Sequence, residues 1–283
     1  MLNKNIQTFI ACDAEYEASD IILFGAGFDG TTSFRPGTRF APSAVRNESF
    51  GIETYSPYQD KDMTDYSYFD SGDIELPFGN TEKVLSDIQK RAEIILSDGK
   101  IPFMIGGEHL VTLGSVRAAY KKYPDLCIIQ FDAHADLRND YLGQNLSHAC
   151  VIRRCHDILG DGKIFQFGIR SGDREEFHFA EKHTDMHKFS LIGLENTVEK
   201  LKGKKIYLTV DLDVLDPSVF PGTGTPEAGG VSFDELRKSL TLICSTLNIV
   251  GCDVNELCPQ YDQSGVSTAV TCKIIREMLL AMS

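Results

Sequence analysis

The sequence predicts an α/β fold with a mainly parallel central sheet covered by helices. Six strand-length apolar runs alternate with segments of helical periodicity, and the runs are apolar throughout rather than on alternate residues. Continuous apolar strands are typical of sheets buried on both faces, and strand–helix alternation is typical of parallel sheets. The six runs are DIILFGA, IPFMIGG, LCIIQFD, KIFQFGI, KIYLTVDLD and NIVGCDV.

Two of the helices can be placed from their patterns. Residues 81–98 carry apolar side chains at helical spacing, with Thr81 as a candidate N-cap and Gly99 as a candidate C′ residue. A later helix follows Ser232 and Glu235, which have the spacing of a capping box and precede an apolar stripe.

Composition limits the classes of function. The chain has 283 residues, 42% of them hydrophobic, and no repeat or linker, so we expect a single domain over residues 1–283. A net charge of −13 argues against binding nucleic acid or anionic membranes and is compatible with a small cationic substrate. No apolar run approaches the ~20 residues of a membrane span, and the N-terminus turns acidic too early for a signal peptide. Eight cysteines without paired CxxC spacing indicate reduced thiols in a cytoplasmic protein.

Charged and metal-binding residues follow four of the predicted strands, at the point where each strand ends. Because ligands of parallel sheets bind at the carboxyl ends of strands, we expect these side chains to meet. In FDAHAD the polar residues alternate, which places them on one side of an extended chain. The residues are His109; Asp132, His134 and Asp136; Asp211 and Asp213; and Asp253 and Glu256.

The residue types at these strand ends predict a two-metal site. Two divalent cations balance the four negative charges of Asp132, Asp136, Asp211 and Asp213, and bridging carboxylates hold such ions ~3.5–4 Å apart. His109 and His134 add one nitrogen each, a donor set that suits Mn²⁺ better than Mg²⁺, Ca²⁺ or Zn²⁺. Water shared by the ions can attack an electrophilic carbon. Glu256 is not needed as a ligand, so its carboxylate is free to hold a guanidinium group.

The same motifs resemble a known family. GGEH, FDAHAD, DLDVLDPSVFPGTGTPEAGG and DVNELCP are similar to motifs of the ureohydrolases, which include arginase and agmatinase. The stretch TTSFRPGTRFAPSAVR resembles the agmatinase branch, and the motifs run in family order from about residue 29 to 256. The resemblance implies an arginase-like three-layer α/β/α sandwich and a dinuclear manganese site that hydrolyses a guanidine to urea and an amine. It also implies a homotrimer or homohexamer.

The resemblance further implies roles for individual residues. The implied ligands of the first metal are His109, Asp132, Asp136 and Asp211. Those of the second are Asp132, His134, Asp211 and Asp213, so two aspartates bridge. His148 falls at the position of the family's proton-shuttle histidine, and Glu256 at that of its guanidinium-binding glutamate.

Two other motifs have weaker functional interpretations. Gly25–Gly30, GAGFDG, fits the dinucleotide-binding pattern, but the prolines that follow leave no place for the phosphate-binding helix. A glycine-rich active-site loop is the better interpretation. His178, His183 and His187 have a spacing that could hold another metal, although the charged residues between them indicate an exposed helix or turn. We expect His156 to lie at the surface or in packing rather than in catalysis.

Three further aspartates have alternative roles. Asp216 precedes a proline and is expected to cap a turn. Asp253 either supports a metal-binding histidine or holds a backbone turn. Asp173 either binds a distant ammonium group of the substrate or is a solvated loop acid.

The leading functional hypothesis is the hydrolysis of agmatine to urea and putrescine. The loop Leu137–Ser147 departs from arginase, and Asp140 would repel a substrate carboxylate if it faces the pocket, whereas Arg138 or Asn139 would receive one. The alternatives are aminopropylagmatine, guanidinobutyrate, arginine and formiminoglutamate as substrates. A non-catalytic metal-binding regulator is the remaining alternative, and the full ligand set together with His148 and Glu256 argues against it.

Overall fold

The fold is built around one eight-stranded sheet. A computed structural model describes residues 2–283. The strands are β1 (Ile21–Gly25), β2 (Tyr55–Ser56), β3 (Lys61–Asp62), β4 (Tyr68–Asp73), β5 (Ile101–Ile105), β6 (Cys127–Phe131), β7 (Ile164–Ile169), β8 (Asp185–Lys188), β9 (Lys205–Asp211) and β10 (Asn248–Asn255). The main sheet has the order β4-β1-β5-β10-β9-β6-β7-β8, and all of its pairings are parallel. The short strands β2 and β3 form a separate antiparallel hairpin.

All six strands expected from the sequence are present in the main sheet, and they occupy its interior. The two edge strands, β4 and β8, are not evident from the sequence pattern. The first, YFDSGD, is mostly buried but mixes its two aromatic residues with polar ones, and the second, DMHK, is largely polar and only partly buried. An edge strand is covered by one neighbour, so it does not need the continuous apolar pattern by which the inner strands are recognised.

Helices cover both faces of this sheet. They are α1 (Ala41–Ser49), α2 (Thr81–Ser97), α3 (Thr112–Lys122), α4 (Val151–Leu159), α5 (Arg174–His183), α6 (Leu194–Leu201), α7 (Phe233–Thr246) and α8 (Val266–Met282). Helices α2–α5 share a buried cluster with one sheet face, as Leu113 does with Ile128. Helices α1, α6, α7 and α8 cover the other face, where Leu240 belongs to the same cluster as Ile129. Successive residues of β6 thus point into opposite layers, and the predicted three-layer α/β/α sandwich is confirmed.

The helix ends largely follow the predicted caps. The start of α2 was predicted one residue late: Asn80, not Thr81, is the N-cap, and its side chain accepts the backbone N–H three residues on at 3.0 Å. Gly99, with φ of 79°, follows this helix as expected. Ser232 and Glu235 form the predicted reciprocal capping box at the start of α7.

The strand order places the polar strand ends side by side. β5, β10, β9 and β6 are consecutive neighbours in the sheet, and each carries one of the predicted polar clusters at its carboxyl end. All eight cysteines are free and buried, as expected for reduced thiols. Within residues 2–283, no helix combines the length and apolar character needed to cross a membrane.

Candidate metal centre and active-site cavity

The segment after β6 presents three of the predicted ligands. Two fully buried alanines alternate with Asp132, His134 and Asp136, which places the three polar side chains on the other side of the segment. The backbone N–H of the first alanine donates to Oδ1 of Asp213 at 3.0 Å, which attaches the segment to the end of β9. Asp136 has a left-handed φ of 54°, so the chain turns away directly after its carboxylate.

His109 is held in one tautomer by the end of β9. Its Nε2 lies 2.8 Å from Oγ1 of Thr209, and the Thr209 hydroxyl donates to Oδ1 of Asp253 at 2.6 Å. Because this donation uses the only hydroxyl proton, Thr209 accepts the hydrogen bond from Nε2–H of His109. In the neutral imidazole the opposite nitrogen, Nδ1, therefore carries the lone pair. Asp253 also accepts the hydroxyl of Tyr207 at 2.6 Å, so it supports His109 through Thr209 rather than a turn.

Three carboxylates surround this lone pair. Nδ1 of His109 lies 2.9 Å from Oδ2 of Asp132, 3.0 Å from Oδ2 of Asp136 and 3.4 Å from Oδ2 of Asp211. The nitrogen is buried and has no hydrogen-bond partner among the described residues. A lone pair directed at carboxylate oxygens is unfavourable unless a cation lies between them, so these residues fit a metal ion.

A second group of ligand atoms shares Asp132 with the first. His109, Asp132 and Asp211 form one set of converging donors, and Asp132, His134 and Asp213 form another. Nδ1 of His134 lies 2.9 Å from Oδ2 of Asp213 and 3.6 Å from Oδ1 of Asp132. The arrangement is that of two adjacent cation positions with a common carboxylate.

The buried carboxylates of this centre repel one another, and the neighbouring residues carry too little positive charge to offset the repulsion. Burial raises the pKa of Asp211 well above its usual value, and the charges of Asp213 and Asp132 raise it further. Burial and the charge of Asp132 likewise raise the pKa of Asp136 to about 7. Two divalent cations would remove this repulsion, which agrees with a donor set of four carboxylates and two imidazoles.

Glu256 lies beside the first ligand group. Its φ of 64° turns the chain at the end of β10. Its N–H donates to the carbonyl of Gly107 at 2.9 Å, and its Oε1 accepts the N–H of His109 at 2.7 Å. No other hydrogen bond from residues 2–283 reaches its carboxylate, which lines the cavity described below. Burial raises the pKa of Glu256 well above its usual value, and the charge of Glu108 adds to the effect.

His148 is positioned by the loop after β1. Its N–H donates to Oγ1 of Thr31 at 3.1 Å, and the Thr31 hydroxyl donates in turn to Oε1 of Glu108 at 2.5 Å. In the imidazole, Nδ1 lies 3.5 Å from the same Thr31 oxygen, and Nε2 lies 3.2 Å from Oγ of Ser33. Tyr141 packs edge-on against the ring at 5.8 Å between centroids. Burial lowers the pKa of His148 to about 4, so the ring is neutral at physiological pH.

These groups line one cavity of about 220 Å³. Arg138 lies at its wall, but its charge is paired: Nη1 is 3.0 Å from Oδ2 of Asp173, and Nε is 3.4 Å from Oε2 of Glu176. Asp173 also caps α5 in a reciprocal capping box with Glu176. The side chain of Asn139 accepts a hydrogen bond from Arg154 at 2.9 Å. The loop after Asp136 therefore presents to the cavity a guanidinium that is already paired with two carboxylates.

The family of the chain follows from comparison with known proteins. A sequence model described as the arginase family matches residues 19–281. This chain belongs to the arginase family. It is 49% identical to an agmatinase of Bacillus subtilis (strain 168), over 97% of this chain and 96% of the relative.

Two solved structures resemble this arginase-family chain closely. A Clostridium difficile protein has a TM-score of 0.93 and 56% sequence identity, over 95% of this chain and 99% of that one. The agmatine ureohydrolase of Thermoplasma volcanium has a TM-score of 0.88 and 32% identity, over 98% of this chain and 94% of that one. The arginase-like fold expected from the motifs is confirmed.

The sheet edge of this arginase-family chain brings together the site residues expected from sequence. Five form the two ligand groups, Asp136 lies beside them, and two more line the cavity wall. The residues are His109, Asp132, His134, Asp136, Asp211 and Asp213, and His148 and Glu256.

Four residues that support the site of this arginase-family chain were not predicted from the sequence. Thr31, Ser33 and Glu108 contact or support His148, and Thr209 orients His109. Thr31, Ser33 and Glu108 lie within the motifs TTSF and GGEH, so their place in these motifs is the sequence feature that could have identified them. Their partners are far away in the chain, and no periodicity reports such contacts.

The remaining motifs of this arginase-family chain belong to loops and turns outside the metal centre. Gly25–Gly30 leads into a loop with no helix before residue 38, so the site lacks the helix that a dinucleotide would need. Asp216 accepts the backbone N–H groups of Ser218, Gly229 and Gly230 and holds a turn, as expected. Asp140 does not line the cavity; it accepts an N–H within its own exposed turn.

The three histidines of the possible extra site are not brought together in this arginase-family chain. His178 is exposed on α5, His187 stacks on Phe167 at 4.4 Å, and His183 instead meets Asp161 and His156. The interpretation of His178, His183 and His187 as a further metal site is therefore wrong.

Proposed function

We propose that this chain is an agmatinase, which hydrolyses the guanidinium group of agmatine to urea and putrescine with two Mn²⁺ ions. The observation that carries the proposal is the pair of ligand groups sharing Asp132, next to a cavity lined by His148 and Glu256. The near full-length likeness to a protein named agmatinase supports the substrate.

Six residues would hold the ions. The proposed ligands of one ion are His109, Asp132, Asp136 and Asp211, and those of the other are Asp132, His134, Asp211 and Asp213. When bound, such a pair supplies a water-derived nucleophile near neutral pH. The oxygen-rich donor set with one imidazole for each ion favours Mn²⁺ over the softer Zn²⁺.

Glu256 orients the substrate. One carboxylate oxygen is engaged by the N–H of His109, which fixes the side chain, and the carboxylate lines the cavity. A guanidinium donates parallel N–H bonds to a carboxylate and carries a matching charge, so this buried acid provides both geometry and charge neutralisation. Fixing the plane of the guanidinium beside the ligand groups presents its central carbon for attack.

His148 moves the proton that the leaving amine needs. Hydrolysis forms a bond from the oxygen of water to the guanidine carbon and breaks the bond to the alkyl-bearing nitrogen. That nitrogen must gain a proton, because an amide anion is too basic to leave. A neutral imidazole accepts a proton from water and delivers it to the amine, and the Thr31 and Ser33 hydroxyls hold the two ring nitrogens.

The cavity wall favours an amine-tailed substrate over arginine. Arginine adds a carboxylate, and leaving this group unpaired in a partly buried site costs several kcal/mol. The cation in position to receive it, Arg138, is already paired with Asp173 and Glu176. Two acids beside one guanidinium leave a local negative charge, which attracts the ammonium end of agmatine.

The test compares agmatine with arginine in the Mn²⁺-loaded protein at mildly alkaline pH. We expect kcat/KM for agmatine to exceed that for arginine by at least about a hundredfold, on the order of 3 kcal/mol. Urea and putrescine are measured together, and their amounts should be equal. A preference for arginine would reject the substrate but keep the guanidine chemistry. A preference for aminopropylagmatine would show that the substrate has a longer tail, and the absence of urea from any guanidine would reject the enzyme.

We also propose, from family resemblance, a homotrimeric or homohexameric assembly that works in the cytoplasm. Light scattering of the purified chain tests the assembly, since a monomer mass would contradict it. Fractionation of cells that express the chain tests the location.

A further inference from the structure

Two histidines and an aspartate meet away from the cavity, where α4 and α5 end. His156 lies in the last turn of α4, Asp161 follows that helix, and His183 is the last residue of α5. None of the three lines the active-site cavity. The proposed reaction uses none of them.

One carboxylate oxygen is the meeting point. Oδ1 of Asp161 lies 2.8 Å from Nε2 of His156 and 2.7 Å from Nδ1 of His183. The three ligand atoms all lie within 4.8 Å of one another. A tetrahedral zinc ion with bonds of ~2.0–2.2 Å separates its ligand atoms by roughly 3.3 Å. Outward shifts of about half an ångström therefore open a position for the ion.

The aromatic surroundings hold both imidazoles in place. The ring of Phe179 stacks on His183 with centroids 4.2 Å apart and meets the edge of His156 at 4.9 Å. Only 14% of the His156 side chain is exposed. Because the rings are already ordered, ligand binding would cost little side-chain entropy.

The donor set and the local charge select the class of ligand. Two imidazole nitrogens and one carboxylate oxygen suit Zn²⁺ and neighbouring transition ions, whereas Mg²⁺ and Ca²⁺ prefer oxygen alone. Arg153 lies over the Phe179 ring at 3.8 Å, and its Nε lies 3.7 Å from Oδ1 of Asp157 rather than in a contact with Asp161. Asp161 then supplies the uncompensated charge, and 67% of its side chain is exposed, which leaves room for a water ligand.

We propose that His156, Asp161 and His183 form a third metal site, which takes one Zn²⁺ or a similar transition ion. The ion joins the ends of two helices that already meet here through the contacts of Phe179 and the hydrogen bonds to one carboxylate oxygen. Since none of the three residues lines the cavity, their effect is on the packing of α4 against α5 and not on the chemistry.

The experiment counts bound metal. Wild-type protein, Asp161→Asn, His183→Gln and the control His178→Gln are equilibrated with Zn²⁺ in the presence of Mn²⁺, passed over a desalting column and analysed for total divalent metal per chain. His178 is a matched control, since it lies on the same helix but is exposed and not part of the triad. We expect one metal ion per chain fewer in the two triad variants than in wild type, and no loss in the control.

Two results would overturn the third site. Equal metal content in all four proteins would show that the triad is only a hydrogen-bonded contact, and the same loss in the control would show that the ion is bound elsewhere. Urea release with Mn²⁺ alone should be the same in all four proteins, which confirms that the variants fold. The difference in metal count does not depend on that activity, so failure of the proposed function and failure of this site give different results.

Discussion

The hydroxyl of Thr31 donates to the carboxylate of Glu108 at 2.5 Å, and this bond determines what Thr31 offers to His148. With its only proton engaged, the Thr31 oxygen acts as an acceptor toward His148, from the backbone N–H at 3.1 Å and from Nδ1 at 3.5 Å. In the neutral imidazole this favours the proton on Nδ1, which leaves the lone pair on Nε2 beside the Ser33 hydroxyl.

Replacing Thr31 with valine should impair proton transfer while keeping the metals. Valine has a similar shape but no hydroxyl, so it leaves Glu108 and the His148 N–H without this partner. We expect kcat to fall by about tenfold, equivalent to about 1.4 kcal/mol, with little change in KM because Thr31 does not line the cavity. The comparison is with His148→Asn, for which roughly 10²-fold is expected. Thr31→Ser should restore kcat, and a failure to do so would mean that packing, not the hydroxyl, is responsible.

Asp132→Asn should remove most metal from both positions. Asp132 is the residue common to the two ligand groups, and an amide cannot supply the bridging charge. Metal analysis after dialysis measures the loss, with Asp140→Asn as a control that removes an aspartate of the same segment from outside the centre. Retention of one full equivalent in Asp132→Asn would show that Asp132 serves a single ion.

Glu256→Gln should keep both metals and lose most of kcat/KM. The amide keeps the size of the side chain and its oxygen can still accept the N–H of His109, but it lacks the charge that binds a guanidinium. We expect a fall of roughly a hundredfold, about 2.7 kcal/mol. If metal content collapses with activity, Glu256 is part of the metal centre and the orienting role is wrong.

Asp173→Asn should shift the preference between substrate tails. Asparagine remains a good N-cap for α5, so the change removes mainly the charge that pairs with Arg138. We expect kcat/KM to fall for agmatine and to rise for guanidinobutyrate, each by up to about fivefold, the scale of a partly exposed ion pair of up to ~1 kcal/mol. A parallel change for both substrates would show that Asp173 acts through the structure of the loop.

The cysteines should resist thiol reagents in the folded protein. Burial raises the pKa of Cys244 to about 12, so at pH 8 only about one molecule in ten thousand carries the thiolate. We expect less than one thiol per chain to react with a disulfide reagent within minutes, and all eight to react in guanidinium chloride. Fewer than eight in the denatured protein would reveal a disulfide.

The sequence determined the inner sheet and the ligand set because both are recorded locally. Continuous apolar runs identified the six inner strands, and alternation in FDAHAD put Asp132, His134 and Asp136 on one side of the chain. Because parallel strands end at a common edge of the sheet, these residues are expected beside Asp211 and Asp213 from the sequence alone.

Which distant groups orient those ligands depends on the packing of the folded chain. Thr209 fixes the tautomer of His109 from a strand 100 residues away, and Thr31 holds His148 from a separation of 117 residues. Folding also separated His183 from His178 and placed it beside Asp161. Such contacts depend on how strands are ordered and loops are packed. They produce no periodic pattern in the sequence, because a hydrogen bond needs only one suitable atom at the right distance.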